Sequence, residues 1–251
     1  MEQIKYIYED KDILVAHKPA GVATEGAKAS NIDLVSAARN YIKREGKISG
    51  VPYVATVHRL DQPVEGVVVL AKTKKAATDI ASQIKKHTTE KYYYALCYGS
   101  FTEEKGRLED ILIRKEDGLA AVISEKEAET YSENAITTAD GKRIKLTGGE
   151  PKKASLEYEV VKRTEKATLL RIRLLTGRYH QIRVQLSHLG YPILGERKYG
   201  TDSSIEYSNE MNAKNICLVS YKFCLKHPST KKRMEFEIIP DNVTIRKVMQ
   251  Y

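Results

Sequence analysis

The chain has 251 residues, 41% of them hydrophobic and 30% charged. That is enough apolar material for a packed core, and it excludes a wholly disordered chain. Lys and Arg number 42 against 33 Asp and Glu, a formal charge of +9, and such a balance points first to nucleic acid as a partner.

No run of about 18 apolar residues occurs, so no transmembrane helix is expected. The start of the chain, from Met1 to Lys5, is followed by no long apolar stretch of the kind a secretory leader needs. Cys97, Cys217 and Cys224 are too few for a disulfide framework and form no CxxC pair, so neither disulfides nor zinc are expected. The reducing cytoplasm is the expected compartment.

Taken in order, the short apolar run Ile13–Ala16 predicts a buried strand that ends at Pro19 and Gly21. Asn31 is placed to cap a helix whose apolar positions Leu34, Val35, Ala38, Tyr41 and Ile42 share one face. Val67–Ala71 reads as a fully buried strand. A helix follows it, with Ala77, Ile80, Ala81 and Ile84 at helical spacing. Tyr92–Tyr98 is aromatic and β-prone. Alternation of Leu156, Tyr158 and Val160 with Glu157 and Glu159 marks a strand with one wet face. The same period recurs at Leu170, Ile172 and Leu174, and at Met234, Phe236 and Ile238. Residues 115–153, polar and glycine-containing, read as long loops or hairpin excursions. The fold class that follows is α+β, with a large, mixed, mostly antiparallel sheet flanked by a few helices. Strand patterns continue on both sides of 115–153, so residues 1–251 are expected to form a single catalytic domain.

Two segments carry candidate chemistry. Val57-His58-Arg59-Leu60-Asp61-Gln62-Pro63-Val64-Glu65-Gly66 is a turn-prone stretch fixed by the strand that follows it. Read alone, its His, Arg and Asp are better explained by surface decoration than by function. Thr176-Gly177-Arg178-Tyr179-His180-Gln181-Ile182-Arg183 sits at a strand-to-helix turn, with Ile182, Leu186 and Leu189 on one helical face and Gly190 suited to end it. Arginines beside free amides at a helix start favour phosphate, and a solvated basic helix start explains them equally well.

Together these segments resemble the RluA family of RNA pseudouridine synthases over most of the chain. Ile13 to Gly21, with His17-Lys18-Pro19-Ala20-Gly21, resembles the family's strand followed by N-K-P-x-G. His58-Arg59-Leu60-Asp61 resembles its H-R-L-D signature, and Lys91-Tyr92-Tyr93-Tyr94-Ala95 its K-x-Y-x-A strand. Thr176 to Arg183 resembles T-G-R-x-H-Q-I-R, continued by Gly190 to Gly195 and Tyr199-Gly200. The chain departs from the pattern at Gln62, where the family usually has Arg, and at Val64-Glu65, usually Thr-Ser or Thr-Thr. It departs again at Gln185, usually His, and at Glu196, usually Asp. Gln62 and Glu65 weaken the positive field expected beside Asp61.

The resemblance implies an isomerase that breaks the uracil N1–ribose bond, turns the base and rejoins it through C5, with no metal, nucleotide or redox cofactor. It implies Asp61 as the essential carboxylate, which adds as a nucleophile or stabilises charge on the sugar. Arg183 is implied as its guanidinium partner, and Tyr93 as the ring that stacks on the flipped uracil and helps move the C5 proton. Tyr92 and Tyr94 then face the other side of their strand. Arg59 is the implied filler of the gap left by the everted base. His58, Arg178, His180 and Gln181 complete the implied RNA-contact set, with positioning of the loop the alternative for Arg178 and His180 and a structural hydrogen-bonding role the stronger reading of His58. Lys85, Lys86, Lys91, Lys152, Lys153, Lys231 and Lys232 are candidates for a phosphate track.

The Lys-Pro-x-Gly region begins at 18, which leaves no room ahead of it for the accessory RNA-binding domain of many relatives. Structured RNA, either tRNA or a large-subunit rRNA stem-loop, is the implied partner of a chain expected to be a cytoplasmic monomer without membrane association. Two rivals belong to other classes. One is a catalytically silent RNA-binding or RNA-remodelling protein on the same scaffold, against which Asp61, Tyr93 and Arg183 speak. The other is a His/Asp phosphodiesterase, which lacks an evident second acid–base group.

Overall fold

The structure, a computed structural model, describes residues 4–26, 32–46 and 49–250. It forms two compact units, one of Met1–Tyr94 with Asn215–Tyr251, the other of Ala95–Lys214. No helix among the described residues is long and apolar enough to cross a membrane.

In chain order the elements are β1 (Lys5–Glu9), β2 (Ile13–Lys18), α1 (Leu34–Gly46), β3 (Ala55–Thr56), β4 (Glu65–Ala71), α2 (Lys74–Lys85) and β5 (Glu90–Tyr98). Then come β6 (Lys105–Arg114), β7 (Ala120–Ile123), α3 (Glu125–Glu129), β8 (Ala135–Thr137), β9 (Arg143–Lys145), β10 (Lys152–Arg163) and β11 (Ala167–Leu174). The last are α4 (Gln181–His188), α5 (Asp202–Glu210), β12 (Leu218–Lys226), β13 (Arg233–Glu237) and α6 (Val243–Met249). The chain passes from the first unit to the second within β5.

In the first unit the strands lie in the order β1-β2-β4-β12, with β5 beyond β12, β3 paired to β4 and β13 to β12. The β2–β4 pair is antiparallel and the β4–β12 pair parallel. Both β2 and β4 are buried along their whole length, which is why their sequences read as continuous apolar runs and not as alternation. One face, through Ile13, Val15, Val67, Val69 and Phe223, packs on Ile80 of α2. That burial holds α2, and Gln83 adds a clasp. Its amide donates to the Lys226 carbonyl at 2.7 Å and accepts from the Lys226 amide at 2.9 Å.

The helix predicted at 34–42 is α1. Asn31 lies outside the described residues, and Asp33 makes the cap, its Oδ1 accepting from the Ser36 amide at 2.7 Å. At α2 the cap is Thr73, whose hydroxyl accepts from the Ala76 amide at 3.1 Å. Thr73→Ala should lower unfolding free energy by about 1 kcal/mol, read from chemical denaturation with an unchanged slope against denaturant.

The second unit carries β11-β10-β6-β7 in that order, every pair antiparallel. The expected alternation at 156–160 and 170–174 is found, with Leu156 opposite Leu174 and Tyr158 opposite Ile172. Residues 115–153 do form hairpin excursions. They include β7, the β8–β9 ribbon and the short α3, which is closed by a capping box between Ser124 and Glu127. A small core of Ile113, Ile136 and Leu146 anchors the ribbon. Helix α4 ends as expected, with Gly190 at φ +94 and its amide bonded to the Ser187 carbonyl. Its face pattern differs from the expectation. Ile182 and Leu186 are buried, but so are Gln181, Arg183 and Gln185, while Leu189 is exposed. The helix is packed nearly all round and so shows a weak periodic signal.

Candidate active site

The first unit presents Asp61 on a turn braced from beneath. The Val64 amide donates to the Asp61 carbonyl at 3.0 Å and closes the turn. The Gln62 carbonyl accepts from the Gly21 amide at 2.9 Å, and the Gln62 side chain donates to the Gly21 carbonyl at 3.0 Å. One residue earlier, Leu60 is locked to Thr24, whose hydroxyl donates to the Leu60 carbonyl at 2.9 Å. Both segments adjoin fully buried strands, so the turn is held by rigid neighbours.

A row of residues crosses the sheet face beside this turn. Lys18 on β2 is opposite Gly66 on β4, and Gly66 is opposite Ser220 on β12. The Ser220 side chain hydrogen-bonds the hydroxyl of Tyr93 on β5. Gly66 is required in this row. It has φ +150, and a Cβ there would lie 2.5 Å from both the Cβ and the carbonyl oxygen of Ser220. Tyr93 is buried, and burial first, with the Asp61 charge adding to it, pushes its phenol up to about 12. Asp61 and Tyr93 therefore sense each other, and Tyr93 is a neutral ring at physiological pH. Tyr92 and Tyr94 face the opposite side, where Tyr94 stacks on Tyr221 at 4.0 Å between centroids. The expected division of the three tyrosines between two faces is found.

Lys18 is fully buried, among the largest side chains so placed. Its ammonium donates to three carbonyls, Val22 at 2.7 Å, Pro19 at 3.1 Å and Gln62 at 3.2 Å. Burial pushes it down to about 7, against the raising effect of Asp61 and Glu65. In the sequence Lys18 is marked only as a lysine that continues an apolar strand into the Lys-Pro-x-Gly motif.

Arg59 is exposed, and its guanidinium meets Glu25 at 3.2 Å. His58 turns the other way. Its Nε2 accepts from the Val69 amide at 3.0 Å and its ring stacks on Phe223 at 4.4 Å. Burial, helped by the Lys91 charge, pushes it down to about 3. A ring engaged with β4 and β12 in this way fits the structural hydrogen-bonding reading of His58.

In the second unit, Arg183 is buried and bidentate to Glu196, with Nε to Oε2 at 2.6 Å and Nη2 to Oε1 at 2.9 Å. Burial opposes the Glu196 charge, but the Arg183 bonds and charge outweigh it and hold that carboxyl below the usual range. The Arg183 guanidinium also lies 5.4 Å from the centre of the Tyr199 ring. Glu196 was noted from sequence only as a departure, and here it orients Arg183. Gln181 and His180 are buried. The Gln181 Oε1 accepts from the Thr176 hydroxyl at 2.7 Å and the Arg178 amide at 3.0 Å, while its amide donates to the Ser155 carbonyl at 3.1 Å. His180 Nδ1 is 2.7 Å from the Tyr199 hydroxyl, and its ring stacks on Tyr179 at 3.8 Å. Through these bonds both residues hold the turn in place, the loop-positioning alternative for His180. Arg178 remains exposed, with Nε donating to the Lys153 carbonyl at 2.9 Å.

The family profile described as RNA pseudouridylate synthase matches residues 12–188, a span holding Lys18, Asp61, Tyr93 and Arg183. The chain belongs to the RNA pseudouridylate synthase family. Members of this family are isomerases that convert uridine to pseudouridine in RNA. An uncharacterized RNA pseudouridine synthase of Aquifex aeolicus is 34% identical over 94% of this chain and 69% of its own length. The dual-specificity RNA pseudouridine synthase RluA of Vibrio cholerae is 28% identical, covering 90% of this chain and 78% of that protein. The ribosomal large subunit pseudouridine synthase C of Haemophilus influenzae is 25% identical over 94% of this chain and 65% of its own length. The chain thus spans about two thirds of the length of several curated relatives. Human RNA pseudouridylate synthase domain containing 4 shares the fold, with a TM-score of 0.74, 20% identity and coverage of 98% of this chain and 92% of that one. The α+β, mostly antiparallel pseudouridine synthase fold expected from sequence is the fold found.

Proposed function

We propose that this chain isomerises a specific uridine to pseudouridine in structured RNA, with Asp61 as the essential carboxylate. The observation that carries the reading is Asp61 on a braced turn, within electrostatic reach of a buried lysine and a buried tyrosine ring. A carboxylate so held adds to the nucleoside or stabilises positive charge on the ribose as the N1 bond breaks. Tyr93, neutral at physiological pH, serves by stacking on the flipped uracil more than as a base toward C5. Arg183, oriented by Glu196, is the guanidinium we assign to Asp61 on the strength of the family match. The substrate we assign is a tRNA or large-subunit rRNA stem-loop, the rRNA being in line with the name of the Haemophilus relative. A cytoplasmic monomer acting as a single catalytic domain completes the proposal.

Arg59 and Arg178 are the exposed RNA contacts in this reading. Extruding a base costs a few kcal/mol, and a planar guanidinium filling the gap offsets part of that cost. Arg59→Ala should lower turnover on a folded stem-loop about tenfold or more, or about 1.4 kcal/mol. Its Tm should hardly move, because an exposed ion pair contributes little. Equal turnover of variant and wild type on the folded stem-loop would remove Arg59 from the mechanism.

The function is tested by incubating the protein with RNA from cells deleted for its gene, then mapping pseudouridine chemically. New pseudouridine at one or a few uridines is expected. Strand scission in its place would favour the phosphodiesterase, and RNA binding with unaltered uridines would favour the silent RNA-binding protein.

A further inference from the structure

Arg114 lies outside every motif that carries the family resemblance, yet the fold builds it into the turn that leads into α4. It ends β6, on the same strand face as Leu112, which packs with Val184 and Tyr179. Past that small core the chain places an exposed arginine, its guanidinium 4.2 Å from the centre of the Tyr179 ring. Tyr179 stacks in turn on His180 at 3.8 Å, and His180 Nδ1 is 2.7 Å from the Tyr199 hydroxyl. That hydroxyl accepts from the Ala120 amide at 2.9 Å, and Ala120 is the residue opposite Arg114 on β7. The contacts close a ring that begins and ends at Arg114.

Backbone contacts fix the ring in place. The Thr147 amide donates to the Arg114 carbonyl at 2.9 Å, and a Cβ on Gly148 would lie 2.8 Å from the Arg114 Cβ. His180 holds a left-handed backbone, with φ 52, which is uncommon for a residue with a Cβ.

Pairing separates Arg114 from most arginines of the chain. Arg107, Arg163, Arg171, Arg173 and Arg233 each meet a carboxylate. Among the described residues, neither Arg114 nor Arg178 meets one. A guanidinium over an aromatic ring engages through its face, and its N–H donors remain for an anion. Arg178, next to Tyr179 in the chain, is steadied by the bond from its Nε to the Lys153 carbonyl. Lys152 and Lys153 are exposed on β10, opposite Leu112 and Ile111 of β6, and extend the basic edge. A cation already held in one orientation loses little freedom when it binds.

Resting on the proposed function, we propose that Arg114 is a further RNA-contact residue: with Arg178, and organised by Tyr179, it binds phosphates of the substrate's backbone. Planar guanidinium donors match phosphate oxygens, and such contacts fix where an RNA docks without reading its sequence. The Arg183 guanidinium lies 5.4 Å from the centre of the Tyr199 ring, so the phosphate contact shares a supporting ring with the arginine assigned to Asp61.

The test measures binding of a tRNA transcript and of a large-subunit rRNA stem-loop from low to high salt. Arg114→Met keeps an unbranched stem beside the Tyr179 ring and removes the charge. It should weaken binding about tenfold at about 0.1 M salt. The slope of log affinity against log salt should become shallower by about 0.7–0.9, the share of one phosphate. Arg114→Lys should restore the wild-type slope, and Arg114→Met with Arg178→Met should lose two such shares. A wild-type slope in Arg114→Met overturns the proposal and leaves Arg114 as a cover for Tyr179. Equal slope losses in the Met and Lys variants also overturn it, since the charge would then not be what acts. A wild type that binds neither RNA at low salt overturns both this proposal and the proposed function. A wild type that binds them and makes no pseudouridine removes the proposed function alone, and the salt slopes still decide Arg114.

Discussion

Asp61→Asn should abolish pseudouridine formation, by about a thousandfold or more, while RNA affinity stays within about tenfold. Asn has nearly the same shape, so the Val64 bond to the residue 61 carbonyl and the clasp between Gln62 and Gly21 can persist. What is lost is the negative charge, and a neutral amide neither adds to an electrophilic carbon nor stabilises positive charge on the sugar. A thousandfold loss is about 4 kcal/mol of transition-state stabilisation. Binding spread over many phosphate contacts should barely register it. Single-turnover kinetics with saturating enzyme separate the two, and full activity in the Asn variant would move the chemistry to another residue.

Gly66→Ala should cost more than about 3 kcal/mol of stability, and in the strong case leave no folded protein. The methyl group would lie 2.5 Å from the Ser220 Cβ and carbonyl oxygen and 2.7 Å from the Ser220 amide nitrogen, and two of those three atoms are backbone. A flexible side chain could swing away from such a contact, but a strand can relieve it only by moving. The φ of +150 adds a conformational penalty for any L side chain. Moving β12 would also draw Ser220 away from Tyr93, so any folded remnant should lose activity beyond its loss of stability. Urea denaturation gives the free energy. An unfolding free energy within about 0.5 kcal/mol of the wild type, as for a surface change, would show that β4 and β12 do not approach so closely.

Much of the fold was legible because burial leaves a direct imprint on sequence. The all-apolar runs at 13–16 and 67–71 became β2 and β4, and the alternation at 156–160 and 170–174 became the wet-faced pair β10–β11. Strand β12 was harder to read. Leu218–Lys226 mixes Ser220, Tyr221 and Lys222 into a buried strand, with its polar atoms satisfied across the sheet by partners distant in sequence. Helix α4 was legible from its apolar spacing and Gly190, but its burial on nearly all sides was not, since buried Gln181, Arg183 and Gln185 leave no local sign that polar residues face the core.

The site was legible as motifs and less so as roles. Histidines and glutamine within a motif invite a ligand-binding reading, while the fold also gives them structural bonds, His58 Nε2 with the Val69 amide, His180 Nδ1 with the Tyr199 hydroxyl and Gln181 with Thr176, Arg178 and Ser155. No local pattern distinguishes a histidine that meets RNA from one that accepts an amide 11 residues ahead. Lys18 and Glu196 are legible only in part, since each acts through residues that only the folded chain brings near, Gln62 for Lys18 and Arg183 for Glu196.

The central claim concerns a carboxylate that lets uracil exchange its N1 linkage for one through C5. That exchange must expel the hydrogen at C5, so RNA carrying tritium at uridine C5 reports it directly. Transcripts of tRNA and of large-subunit rRNA stem-loops labelled in this way should release tritium to water with the wild-type protein and none with Asp61→Asn. Release at equal rates from both proteins, or intact label in RNA that the wild type binds or cuts, would contradict the account.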